Sequence, residues 1–170
     1  PICTLIADYI KTTPNIELIT QFGLADFEVN ALSIERTFCE KIISLVRFSY
    51  TENLLDDLSK KVRHTYDLHQ LLQLPAIQGF LNSSNFDVML HQVAKDDDKA
   101  IPNDKDWLYV HPKEALLFKD TEVVWNTLKK VYVTSFKELV TGTLPDENDI
   151  LNSLLFLTER MQDIEWTIKK

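Results

Sequence analysis

Ser33-Ile34-Glu35-Arg36-Thr37-Phe38-Cys39-Glu40-Lys41-Ile42-Ile43-Ser44-Leu45 is the stretch whose reading sets the fold class. Ile34, Phe38, Ile42 and Leu45 recur at intervals of 4, 4 and 3, so one stripe of a helix is apolar. Ser33 stands where an N-cap hydroxyl is needed. The helix is expected to run to about Tyr50. Leu54, Leu55, Leu58, Val62, Tyr66, Leu68, Leu71 and Leu72 then mark a second helix, ended before Pro75. Successive helical stripes of this kind predict a mainly α fold, a helical bundle.

Working outward, residues 3–11 read as a short helix with Ile6 and Ile10 on one face, and residues 15–21 as another. Phe27-Glu28-Val29-Asn30-Ala31 alternates with period two, so at most one short strand is expected, near residues 27–31. Further helices are expected over 76–82 and 86–94, and a polar surface loop over 95–106. Thr121 opens a long helix with Trp125, Leu128, Tyr132, Phe136 and Leu139 inward, stopped by Gly142 and Pro145. Ile150, Leu154, Leu157, Met161, Ile164 and Ile168 follow a 4-3-4-3-4 spacing, the seam of a helix pair, expected to be intramolecular. The whole reads as one helical domain over 1–170: a motif-bearing part, 1–74, and a C-terminal bundle, 75–170.

Bulk properties exclude several classes. No apolar run approaches the roughly 20 residues that span a bilayer, so the chain is expected to be cytoplasmic with no membrane partner. Cys3 and Cys39 lack zinc or disulfide spacing and are expected to be buried free thiols. His64 and His69 project about 140° apart on a helix, so they cannot share a metal. No metal-ligating residue is assigned. Trp107, Trp125 and Trp166 are too dispersed for a base-stacking platform and are expected in the core. With 3 glycines in 170 residues, a phosphate-cradling glycine loop is ruled out in its usual form. The net charge of -8 argues against nonspecific nucleic-acid binding. Yet residues 33–74 carry six bases and six acids, so a phosphate-bearing ligand is tolerated best there.

Within that segment, Thr37 and Lys41 share a helix face, and Arg36 and Glu40 share the next. Lys41 adjoins Ile42 and Phe38 at the edge of the apolar stripe, where an ammonium needs an anionic partner or must reach water. Asp67 adjoins Leu68 and Leu71 on the second helix. Its carboxylate needs either Arg63, four residues earlier, or a lysine of the preceding helix. Both arrangements also fit plain helix ion pairs.

Leu32-Ser33-Ile34-Glu35-Arg36-Thr37-Phe38-Cys39-Glu40-Lys41-Ile42, followed by Arg63-His64-Thr65-Tyr66-Asp67-Leu68, resembles the later half of the AbiEii/AbiGii nucleotidyltransferase toxins. The order Tyr132, Phe136, Gly142, Pro145, Ile150 also suits that family's closing stretch. The resemblance implies the C-terminal half of a polymerase-β-like nucleotidyltransferase, a toxin paired with an antitoxin protein. Such an enzyme uses magnesium and a nucleoside triphosphate (NTP) and modifies acceptors that include tRNA. By position, the resemblance makes Lys41 and Asp67 the catalytic residues, with Lys41 on triphosphate oxygens. Thr37, Glu40 and Arg63 join Lys41 in binding nucleotide. The family's N-terminal α/β core, with its magnesium-binding Asp-x-Asp, is missing from this sequence. Asp96-Asp97-Asp98 is read as solvated loop charge instead. Pro1 is therefore read as not a natural start, and the chain alone is expected to be inactive. Two other classes stay in view: an all-helical HEPN-like ribonuclease using Arg63 and His69, and a noncatalytic helical interaction module.

Overall fold

The computed structural model describes residues 3–100 and 106–168. The chain divides into two compact units, residues 1–32 and 33–170. In the first, Thr4 caps α1 (Leu5–Lys11) by accepting from the Ala7 amide at 3.1 Å. Ala7 is the buried residue of α1, and Ile6 is exposed. A short α2 (Glu17–Gln21) follows, closed by Gly23 at φ +62. Residues 27–31 form no strand beyond a single bridge residue at Phe27. Alternation alone does not make a strand; it needs a neighbouring ladder to complete its hydrogen bonds. Cys3 is only half-buried, against expectation, and receives Lys11 Nζ at 3.2 Å.

The second unit is built on α3 (Ile34–Phe48). Ser33 Oγ accepts from the Arg36 amide at 3.1 Å, as a cap should. Phe38, Ile42 and Leu45 are fully buried, whereas Ile34 lies in the first turn, beyond the core, and is 41% exposed. Burying one such side chain is worth roughly 2 kcal/mol, against tenths for an exposed helix ion pair. The apolar stripe, not the charges, therefore sets the rotation of α3.

After α3 come α4 (Leu54–Ser59) and α5 (Val62–Leu72), two helices where one was expected. The break falls at Lys60-Lys61. Lys60 pairs back with Asp56 at 2.8 Å and Asp57 at 2.9 Å, and the Lys61 ammonium sits 4.6 Å above the Phe48 ring. Then α6 (Pro75–Leu81) starts on Pro75 at its first position, where the missing N–H costs nothing. It is followed by α7 (Ser84–Ala100). Residues 95–100, expected as loop, are the last turns of α7. Residues 101–105 lie outside the described residues.

Short α8 (Leu116–Lys119) leads into α9 (Thr121–Val131), which continues as a π-turn over Tyr132–Phe136 and a 3-10 turn over Lys137–Leu139. The helix thus widens and then tightens, so α-helical spacing does not carry through to its end. Tyr132 and Phe136 stay buried, but Leu139, expected inward, is 79% exposed. Finally α10 (Glu147–Gln162) buries Ile150, Leu154, Leu157 and Met161 against α5, α8 and α9, so the seam is intramolecular. Ile164 and Ile168 continue it past the helix end. Trp107 and Trp125 are buried, and Trp166 packs against the same core, donating to the Leu108 carbonyl at 2.9 Å. Around α3 the packing is densest with α7 and α5, and this positions the site.

Candidate functional site

Lys41 sits one residue before buried Ile42, and Asp67 one residue before buried Leu68. Packing α3 on α5 through those apolar neighbours brings the two boundary positions together. Lys41 Nζ lies 3.0 Å from Asp67 Oδ2, with the side chains 24% and 35% exposed. Of the two partners considered for Asp67, the structure uses the lysine of the preceding helix and not Arg63. His64, one turn earlier on α5, places Nδ1 3.8 Å from the same carboxylate oxygen. The His64 side chain is 8% exposed, and among the described residues Nδ1 has no hydrogen-bond partner.

Charges tune this group. Burial by itself would raise Asp67, but His64 and Lys41 outweigh it and hold the carboxyl below its usual range. Burial pushes His64 down, with Lys41 and Arg63 adding to that and Asp67 opposing it. Burial also pushes Lys61 down, and the nearby Arg63, Arg47 and Lys41 push the same way. Four cations thus share one corner of the molecule; Asp67 offsets Lys41 and Asp97 offsets Arg47, and Lys61 and Arg63 supply the excess that favours an anion.

Lys41 lines two cavities. One, of about 500 Å³, is shared with Arg63, Tyr66, Asp67, Phe136 and Leu139. The other, of about 410 Å³, is shared with Arg36, Glu40, Ser44, Arg47 and His64. Among the residues assigned from sequence, Lys41, Asp67 and Arg63 therefore meet on the first cavity. Glu40 faces the second, where it accepts from Arg36 Nε at 3.1 Å. Thr37 is half-buried and lines neither of these cavities. Arg63 and His69 part company: Arg63 is exposed, while His69 Nδ1 is 2.8 Å from Ser153 Oγ of α10.

Sequence reasoning missed the acidic end of α7. Arg36 reaches Asp96 at 3.0 Å, and Arg47 Nε lies 2.8 Å from Asp97 Oδ2. These aspartates are not solvated loop charge; they face guanidinium groups of α3 on the second cavity. Arg36 and Asp96 are 60 residues apart, so no local pattern marks the pair. The same pairing bears on magnesium. Carboxylates already matched to guanidinium groups are poor metal ligands, and among the described residues no His, Cys, Asp and Glu cluster could hold a metal ion. These residues do not fit a magnesium pair. Also among the described residues, no helix is long and apolar enough to cross a membrane.

No curated protein and no solved structure matches the chain. A family model described as the nucleotidyl transferase AbiEii toxin of a type IV toxin–antitoxin system matches residues 5–167. That span takes in both helices of the Lys41–Asp67 contact, the cation-rich corner and the closing helix α10, and the chain belongs to the AbiEii nucleotidyl transferase toxin family.

Proposed function

We propose that Lys41 and Asp67 form the helical wall of a nucleotide site in a toxin that transfers nucleotide from an NTP to an acceptor such as tRNA. The observation that carries the reading is the 3.0 Å contact between the two side chains at the edge of the core, with Lys41 opening onto both cavities. Lys41 is the cationic member of that pair, and its role is to hold triphosphate oxygens. Asp67 is a positioning residue: it aims the ammonium and limits its rotamers before ligand arrives. Arg63 adds a second cation on the same cavity. Glu40 orients Arg36, and Thr37 supports the helix turn beneath Lys41.

The family's chemistry calls for a divalent metal and an NTP. We place the metal-binding carboxylates in a part of the protein that these residues do not include, an α/β core. On this division of labour the present chain contributes binding and orientation and is inactive alone. An antitoxin protein is the expected partner of the complete toxin.

The test is a transfer assay with purified chain, magnesium, each α-labelled NTP and bulk tRNA. The expected result is no label in the RNA from the chain alone, with measurable NTP binding that Lys41→Met weakens at least tenfold. Transfer by the chain alone sinks the division of labour. Binding indifferent to Lys41→Met sinks the site assignment.

A further inference from the structure

We propose that the apolar side of the Lys41 cavity is the subsite for the donor nucleobase, with Leu139 as the residue it rests on. The proposal deepens the reading of Lys41 as a phosphate contact and rests on it.

Two kinds of wall meet in this cavity of about 500 Å³. Lys41, Arg63 and Asp67 supply charge from α3 and α5. Phe136, Leu139 and Val140 supply apolar surface from the segment after α9. Such a volume, with apolar walls and a few convergent charged groups, is the usual form of a small-molecule site. A nucleotide has the same polarity: an anionic tail and a flat, weakly polar ring. One cavity therefore matches one nucleotide, tail to the cations and ring to the apolar wall.

Leu139 points to a ligand independently. At 79% exposure it is the most exposed large apolar side chain among the described residues of the second unit. It lies in the 3-10 turn that follows the π-turn over Tyr132–Phe136, and it lines the cavity. π-turns recur at functional sites. On the same cavity as Leu139, Phe136 is firmly held. Phe136 is 8% exposed, its ring 5.4 Å from Tyr66 and 5.6 Å from Tyr132. The apolar wall carries no hydrogen-bonding groups that would favour one base over another.

The experiment compares binding of each of the four NTPs with binding of inorganic tripolyphosphate, by calorimetry on the full chain. The variants are Leu139→Ser, which alters an exposed side chain, and Lys41→Met. Unaltered chain is expected to bind at least one NTP about tenfold tighter than tripolyphosphate, as a modest apolar contact leaving water would give. Leu139→Ser is expected to bring that ratio within about threefold while leaving tripolyphosphate unchanged. Lys41→Met is expected to weaken both ligands. Equal affinity for NTP and tripolyphosphate, or a ratio unmoved by Leu139→Ser, overturns the base subsite and leaves the Lys41 reading intact. Tripolyphosphate binding that is absent or insensitive to Lys41→Met overturns the reading beneath it, and the base subsite with it.

Discussion

Lys41 of α3 and Asp67 of α5 hold each other at 3.0 Å in a place where neither is fully buried nor fully solvated. That intermediate burial decides what the contact is worth. A pair sealed in the core would cost several kcal/mol to break, whereas an exposed pair contributes about 0–1 kcal/mol. At 24% and 35% exposure this one falls near the lower figure. Lys41→Met and Asp67→Asn are each expected to cost about 1 kcal/mol, with a coupling of about 0.5–1 kcal/mol in a double-mutant cycle. Urea denaturation of the four proteins measures this. A coupling above about 3 kcal/mol would mark the pair as a structural clamp, and a ligand could not then draw Lys41 away.

The α7 clamp is the second quantity to measure. Arg47 Nε and Asp97 Oδ2 are 2.8 Å apart, with side chains 22% and 24% exposed. Removing Asp97 leaves Arg47 beside Lys41 and Lys61 with its countercharge gone. Asp97→Ala is expected to cost about 2 kcal/mol, between the exposed and buried limits. The loss should be local. Amide hydrogen exchange should speed up across residues 95–100 and stay unchanged in α10. Uniform destabilisation without local fraying would contradict the view that this ion pair is what extends α7.

These two contacts show where sequence reading succeeds and where it stops. Ser33 as cap, and Phe38, Ile42 and Leu45 as a buried stripe, are legible because capping and amphipathicity act within a few residues. Lys41 and Asp67 are each legible as a charge that must find a partner, because each sits next to a core residue, but the pattern leaves Arg63 and a lysine of the preceding helix equally open to Asp67. Asp96 and Asp97 are not legible as helix. What stabilises their turns is Arg36 and Arg47, on another helix far back in the chain. The facing of Leu139 escapes the sequence for a different reason. The π-turn and the 3-10 turn after it have no strong local code, so regular helical spacing is a poor guide to the residues at that end. His64 is visible in the motif, yet nothing in a one-dimensional pattern reports that its Nδ1 ends up buried beside Asp67.

Cys39 offers a direct probe of the core. It is fully buried on α3, and burial, with Glu40 adding, pushes its thiol up to about 12. The thiolate is the reacting species, so the folded chain should protect Cys39. Iodoacetamide at pH 8 is expected to modify it only after unfolding, at a rate that tracks urea concentration. Mass spectrometry of the Cys39 peptide gives the readout. Rapid labelling in the absence of urea would mean that α3 opens locally and is not the centre of the bundle.

His64 sets the pH dependence. Its ring is pushed down by burial, by Lys41 and by Arg63, while Asp67 pulls the other way. A histidine with a depressed pKa binds its proton less readily folded than unfolded, so protonation favours unfolding. The penalty therefore begins near the unfolded value of about 6.5 and grows as pH falls toward the folded value. Asp67 is also depressed, but its contribution is intact above the unfolded carboxylate value of about 3.9 and is lost only as pH falls through its folded value. The two windows are separate, which lets one histidine be isolated. The Tm of the unaltered chain is expected to fall between pH 7 and pH 5. His64→Gln, which keeps a neutral hydrogen-bonding group near Asp67, is expected to flatten that slope while leaving the fall below pH 4 in place. A slope that survives the substitution would assign the sensitivity elsewhere and leave His64 as a neutral core residue with no part in setting the charge around Lys41.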